Sequence, residues 1–318
     1  MTTPNNVITS DMLKAGKKGQ GIAGLILCRS YSIALTKSGK EYVQGTLQSG
    51  IEIPFKAWGN ADAFVKLKNE EYSGQVCLVQ GTFDDYGGSF SLIIQDIDAV
   101  EWDDLSVFLP ERYNAEVYWN GLINLVKTHV SEKGMAIANE TLFANESVAN
   151  AFKLEFAASG HHDNCKSGLL AHTYKVVYYV TNVIQMYPNL VETQDIKDVL
   201  VLGALFHDIG KTKEMKLGVY QPCSKVTHRY LGIEMVNKAH FVEYYGEDRW
   251  LDLVSIFLQH HGEYEDKCKT ALAFIVHKAD CFDADMTFLA QAKENPIQRS
   301  GVNSVRLDST YLALPNTQ

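Results

Sequence analysis

The residues best suited to chemistry lie between positions 161 and 280. Residues 202–211 read Leu-Gly-Ala-Leu-Phe-His-Asp-Ile-Gly-Lys, an apolar run that ends in the adjacent pair His207-Asp208, followed by Gly210 and Lys211. An imidazole beside a carboxylate suits a borderline divalent cation. Neighbouring helical residues point about 100° apart, so both reach one ion only near a helix end. Gly210 is expected to supply the turn there. An isolated pair of this kind is more often a helix C-terminus with a dipole-favoured histidine and a solvated acid. This pair has company: nine of the ten histidines fall between His161 and His277, the exception being His129. His172 sits in an apolar helix start, His228 at another, His260 and His261 end an apolar run, and Asp280 lies inside one. A buried acid is rarely tolerated unless paired or metal-bound. His240 and His277 read as ordinary structural histidines.

These residues need rigid helices to hold them. From Asp103 onward the apolar period is helical, with helices expected over 113–131, 139–155, 168–186 (stopped by Pro188), 195–206, 227–245, 249–259 and 268–288. Before that the pattern is β. Apolar stretches at 24–28, 42–47, 51–58, 75–83 and 89–97 are separated by Ser38-Gly39, Ser49-Gly50, Gly59-Asn60 and Gly87-Gly88, with a helix-like insert at 61–69. That layout suits a small barrel of the OB type. The expected organisation is a polar lead-in (1–19), an OB-fold-like β-barrel (20–102), an all-α domain (103–295) and an irregular tail (296–318) rich in Gly, Asn, Ser and Pro.

The order of these residues resembles the HD-domain metal-dependent phosphohydrolases, and most closely YhaM-type 3′–5′ exoribonucleases, which join an OB-fold to an HD domain. The resemblance is carried by Ser159-Gly160-His161-His162, Gly168-Leu169-Leu170-Ala171-His172-Thr173, His207-Asp208-Ile209-Gly210-Lys211, His228, His260-His261-Gly262 and Asp280-Cys281-Phe282-Asp283-Ala284. It covers about residues 20–290. It implies a metal-binding HD domain with His172, His207, Asp208 and Asp280 as primary ligands. His228 and His260 or His261 would hold a second ion or contact phosphate. Asp208, Lys211 and His228 would serve catalysis, and His161, His162, Lys211 and Arg229 would meet substrate. The ion would be Mn²⁺ first, with Fe or Mg²⁺ as alternatives, one or two per chain.

The implied reaction is hydrolysis of single-stranded RNA or DNA from the 3′ end to nucleoside 5′-monophosphates. Two alternatives stand beside it: hydrolysis of small or cyclic nucleotides, and a non-catalytic nucleic-acid-binding role. The net charge of −9 gives no general basic field. Residues 20–100 hold Arg29, Lys37, Lys40, Lys56, Lys66 and Lys68 against nine acids, which favours the small-nucleotide alternative. Tyr31, Tyr42, Phe55, Trp58 and Tyr86 are of a type that stacks bases, although barrel core is the commoner role. Six scattered cysteines without a CxxC pair read as reduced thiols. With no run of about 18 apolar residues and no signal-like N-terminus, a cytoplasmic protein without membrane contact is expected. Self-association is left open.

Overall fold

The computed structural model describes residues 7–86, 89–158, 163–262, 267–293, 297–299, 302–307 and 310–313. The chain divides into two compact units, 1–111 and 112–318.

In the first unit a short helix α1 (Ser10–Ala15) precedes β1 (Gly21–Leu35), β2 (Glu41–Ser49), β3 (Ile51–Trp58), α2 (Asp62–Asn69), β4 (Val76–Tyr86) and β5 (Ser89–Val100). The strands close into a barrel in the order β1-β2-β3-β5-β4, as expected for an OB-like unit. β1 bends to pair antiparallel with both β2 and β4, and β3 meets β5 in parallel at Phe55↔Leu92 to complete the circuit. Side-chain alternation puts Ile53, Phe55 and Ala57 inside while Glu52, Pro54 and Trp58 stay outside. β1 runs well past the expected 24–28, and its second half is mostly exposed. That half alternates Tyr31, Ile33 and Leu35 with Ser30, Ser32 and Ala34, a period-two signal outside the expected stretch, and it is hydrogen-bonded to β2 as far as Leu35↔Glu41. Of the aromatics weighed as stacking platforms, Phe55 is core. Tyr42 and Trp58 pack against each other across the β2–β3 ladder at 5.0 Å, and Trp58 is exposed. The Tyr31 hydroxyl donates to the Glu70 carbonyl. The side chain of Tyr86 lies outside the described residues.

The second unit is helical: α3 (Ala115–His129), α4 (Glu132–Ala138), a π turn (Asn139–Phe143), α5 (Glu146–Leu154), α6 (Gly168–Met186), α7 (Gln194–Phe206), α8 (Lys211–Glu214), a hairpin of β6 (Met215–Lys216) and β7 (Val219–Tyr220), α9 (His228–Met235), α10 (Lys238–Gln259) and α11 (Ala271–Ala292). α7 is its axis, with every residue from Asp198 to Phe206 buried. α6 and α10 supply Val176, Val180, Leu253 and Phe257 to the same core. Among the described residues no helix is long and apolar enough to cross a membrane.

Three expectations are corrected. The helix expected over 139–155 is the π turn followed by α5, because Asn145 caps a new helix start by accepting from the Val148 amide; α4 precedes that span and begins where Ser131 accepts from the Gly134 amide. The helices expected at 227–245 and 249–259 are divided elsewhere. Asn237 caps α10 by accepting from the His240 amide, and α10 continues to Gln259 through a kink at Gly246, whose φ of 80° suits glycine. Finally, the tail expected to be irregular holds an antiparallel sheet of β8 (Ile297–Arg299), β9 (Val302–Leu307) and β10 (Thr310–Ala313). Of the residues that suggested irregularity, Pro296 precedes β8 and Gly301 follows it in the sequence, while Asn303 and Ser304 lie within β9, and the strands are runs of only three to six residues.

Candidate metal centre

All the candidate ligands but Asp280 sit at or near a helix end, which is where backbone geometry lets side chains from several helices meet. His172 lies in the second turn of α6, His207 and Asp208 follow α7, His228 opens α9, His260 and His261 follow α10, and Asp280 lies within α11. Gly210 has an ordinary right-handed backbone (φ −62°), so it is not the turn residue the sequence suggested. Its role is close approach: a Cβ there would lie 1.9 Å from the His228 carbonyl oxygen. The missing side chain lets the His207-Asp208 corner press against the start of α9. Gly262, with φ +60°, closes the end of α10 against the His277 ring. The Nδ1 of His277 lies 2.6 Å from the His260 carbonyl, the structural role expected of it.

The side chains form two clusters joined by one carboxylate. In the first, His172 Nε2 lies 3.2 Å from His207 Nε2, 3.2 Å from Asp280 Oδ1 and 3.6 Å from Asp208 Oδ2, with His207 Nε2 3.5 Å from that same oxygen. In the second, Asp208 Oδ1 lies 3.4 Å from His228 Nε2 and 3.6 Å from His260 Nε2, and His261 completes a group whose ligand atoms all lie within 4.8 Å of one another. Ligand atoms about 2.1 Å from a shared ion lie roughly 3.0–3.4 Å apart for octahedral to tetrahedral arrangements, so both clusters are close to coordination spacing. Asp208 Oδ1, His228 Nε2 and His260 Nε2 are buried with no hydrogen-bond partner among the described residues. Each such atom costs about 1–3 kcal/mol if left so, and a cation at their common focus removes that cost. The residues fit a divalent metal.

The opposite nitrogen of each ring is held in place. His172 Nδ1 lies 2.8 Å from Asp283 Oδ2, His207 Nδ1 2.8 Å from the Ala204 carbonyl, His228 Nδ1 3.0 Å from Glu214 Oε2 and His260 Nδ1 2.9 Å from the Phe257 carbonyl. An acceptor at Nδ1 places the proton there and turns the Nε2 lone pair toward the cluster. Behind Asp283 stands Lys175, whose ammonium donates to Asp163 and Thr287 and pairs with Asp283. Of these supporting residues only Asp283 stood in a quoted motif, at 280–284, and none was given a role. Asp283 had a signal, since it lies one turn from Asp280 on α11, as Lys175 does from His172 on α6. Glu214 had none, being 14 positions from the histidine it orients.

Burial pushes His260 down to about 3 and lowers His207, so both rings are neutral donors near pH 7. At His172 burial acts in the same direction, but Asp280 and Asp283 outweigh it and raise the ring to about 10; the negative field that favours a proton there favours a metal cation equally. Burial opposes ionisation of Asp208, yet Lys211 and the surrounding histidines hold it well below the usual carboxylate range.

The residues expected at substrate are placed unevenly. Lys211 Nζ donates to Asp208 Oδ2 at 2.6 Å and to the Ala157 carbonyl at 2.7 Å, beside the cluster. Arg229 Nη1 donates to the Leu258 carbonyl and so fastens α9 to the end of α10. His161 and His162 lie outside the described residues. His240 is paired with Glu140, away from the clusters.

Residues 169–285 match the HD domain family. The chain is 26% identical over 293 residues to the 3′–5′ exoribonuclease YhaM of Shouchella clausii, covering 87% of each protein. It is 27% identical over 293 residues to the protein of that name from Bacillus subtilis strain 168, covering 87% of this chain and 88% of that one. Among solved structures, the p204 HINb domain overlaps 28% of this chain and 42% of its own at 12% identity and a TM-score of 0.22, a level that leaves the fold to be read from the strand order alone. The chain thus carries a five-stranded barrel followed in sequence by a helical region that contains the HD domain at residues 169–285, where the candidate ligand clusters lie.

Proposed function

We propose that this protein is a metal-dependent 3′–5′ exonuclease that removes nucleoside 5′-monophosphates from single-stranded RNA or DNA. The observation that carries the reading is Asp208, one carboxylate shared between two buried ligand clusters. His172, His207, Asp208 and Asp280 would hold one ion, and Asp208, His228, His260 and His261 the other. Mn²⁺ is favoured by the mixed nitrogen and oxygen donors. Ions of this kind offset phosphoryl charge and lower the pKa of water. Around them the chain's own residues keep a fixed geometry: Asp283 and Glu214 orient His172 and His228, and Lys211 adds a positive charge beside Asp208 where a phosphoryl oxygen would gain from it. The reading is supported by the curated relatives, which bear the name of a 3′–5′ exoribonuclease. The six free cysteines suit the cytoplasm as its setting.

Hydrolysis of small or cyclic nucleotides is a second reading, favoured by the acidic balance of the barrel, six basic residues against nine acids over 20–100. Lys66 is tied to Asp96 and Asp98, and Lys68 to Glu41. The test is product analysis of a 5′-labelled single-stranded oligomer incubated with enzyme and Mn²⁺. A ladder shortened from the 3′ end plus monophosphates supports the exonuclease. An intact oligomer alongside hydrolysed free or cyclic nucleotides would replace it with the second reading.

A further inference from the structure

The imidazole of His172 has acidic groups at both of its nitrogens. At Nε2 lie Asp208 and Asp280, with His207, in the first cluster of the metal centre. At Nδ1 lies Asp283, and with Asp163 and His172 it makes a further group of buried ligand atoms within 4.8 Å of one another. Nitrogen and carboxylate donors of this kind could hold a divalent cation on either side of the ring.

The two sides differ in what they leave unsatisfied. On the Nδ1 side a cation is already built in. The Lys175 ammonium has three protons to donate and meets three acceptors: Asp163 Oδ2 at 3.0 Å, Asp283 Oδ1 at 3.0 Å and Thr287 Oγ1 at 2.8 Å. The remaining oxygens are taken as well, since Tyr113 donates its hydroxyl to Asp163 Oδ1 and Asp283 Oδ2 holds Nδ1 of His172. On the Nε2 side Lys211 pairs with Asp208, yet Asp208 Oδ1, His228 Nε2 and His260 Nε2 have no hydrogen-bond partner among the described residues. One side lacks an ion; on the other a side chain supplies the positive charge.

Helical spacing and one unusual backbone build this arrangement. Lys175 lies one turn beyond His172 on α6, and Thr287 one turn beyond Asp283 on α11, so each pair shares a helix face. Asp163 is fully buried at φ 53°, a left-handed conformation that aspartate tolerates. A Cβ on Gly168, the first residue of α6, would lie 2.0 Å from the Asp163 carbonyl oxygen, so the acid is pressed against the helix that carries His172 and Lys175. Burial acts against the charge on Lys175, but Asp163 and Asp283 outweigh it and raise its pKa above the ordinary lysine value.

We propose that Lys175 is a positioning residue that takes the place of a metal ion on the Nδ1 side of His172 and so confines divalent cations to the Nε2 side. The proposal rests on the reading of His172 as a metal ligand, and not on which phosphoester is cut.

The test is metal content and thermal unfolding of the full-length protein in Mn²⁺, for wild type, Lys175→Met and Lys175→Met/Asp163→Asn. Methionine keeps the side chain long and removes its charge. Lys175→Met is expected to hold about one more Mn²⁺ per chain than wild type, and the double variant to return to the wild-type count, since the extra ion needs both acids. Mn²⁺ should also raise the unfolding temperature of Lys175→Met by more than that of wild type, because an ion bound only by the folded state stabilises it. A lysine with a structural role alone would lower stability and leave both readouts unmoved. Lys175→Met with the wild-type count, or an extra ion that persists in the double variant, overturns the proposal, as does a Lys175→Met protein that stays unfolded when Mn²⁺ is supplied. A wild type that holds no Mn²⁺ would remove the metal centre and this proposal together; a wild type with its ions beside an unchanged Lys175→Met would remove this proposal alone.

Discussion

The barrel and the helical unit handle charge in opposite ways. In the barrel, ionised groups stay outside: Lys66 pairs with Asp98 and Lys68 with Glu41 at side-chain exposures between 30% and 58%, over an interior cluster that is almost wholly apolar. In the helical unit, His172, Asp208 and Lys211 are drawn inward to 1%, 3% and 14%. Exposed pairs of the first kind contribute little. Charges of the second kind carry a desolvation cost of several kcal/mol each, which a fold tolerates where the arrangement has a use. The contrast locates function by expense: stability is spread through both cores, but among the described residues it is the helical unit that sets charged groups against one another where water is excluded.

Substitutions in the two regions should therefore differ in kind. The largest effect is expected at Gly210. Gly210→Ala forces a Cβ onto the His228 carbonyl, so the corner or α9 must shift. We expect a loss of about 1–3 kcal/mol in urea unfolding together with near-abolished hydrolysis, since His228 moves with it. Normal activity in this variant would show that the close approach is not needed. Next is Asp283→Asn, which weakens the hold on His172 while preserving shape. Metal affinity should fall roughly 10–100-fold, with helicity by circular dichroism unchanged; an unaltered affinity would remove Asp283 from the support of the site. The smallest effect belongs to the barrel. The hydrogen bond from Lys66 holds Asp96 below the ordinary carboxylate range, so its folded-state pKa is depressed. That contribution to stability is fully present above the ordinary value and is lost as pH falls through the folded one. The slight difference in stability between wild type and Asp96→Asn should thus shrink as pH is lowered below about 4, with activity near neutrality unaffected.

How much of this was legible beforehand depends on where each signal resides. The clustering of these histidines and acids was readable because a histidine or acid inside an apolar helix, as at His172 and Asp280, is unusual by itself. The barrel was readable from alternation in β3. What escaped notice depended on partners distant in sequence. Glu214 orients His228 across a hairpin whose turn uses positive φ at Leu217 and Gly218, and nothing in the spacing announces that contact. Asn237 looked like one more polar residue in a helical run until its side chain proved to cap a new helix. Gly210 was noticed for the wrong reason: its freedom to turn is unused, and its lack of a side chain is what brings α9 near. The strands of the tail are too short for their periodicity to outweigh the surrounding turn residues.

The central claim is that Asp208 joins two metal sites. Metal content per chain, measured after dialysis against Mn²⁺, tests it most directly when wild type, Asp208→Asn and Glu214→Gln are compared. We expect about two ions in the wild type, neither retained by Asp208→Asn, and loss confined to the His228 site in Glu214→Gln, with helicity preserved throughout. Asp208→Asn protein that keeps its full metal content and still shortens single-stranded oligomers would contradict the account.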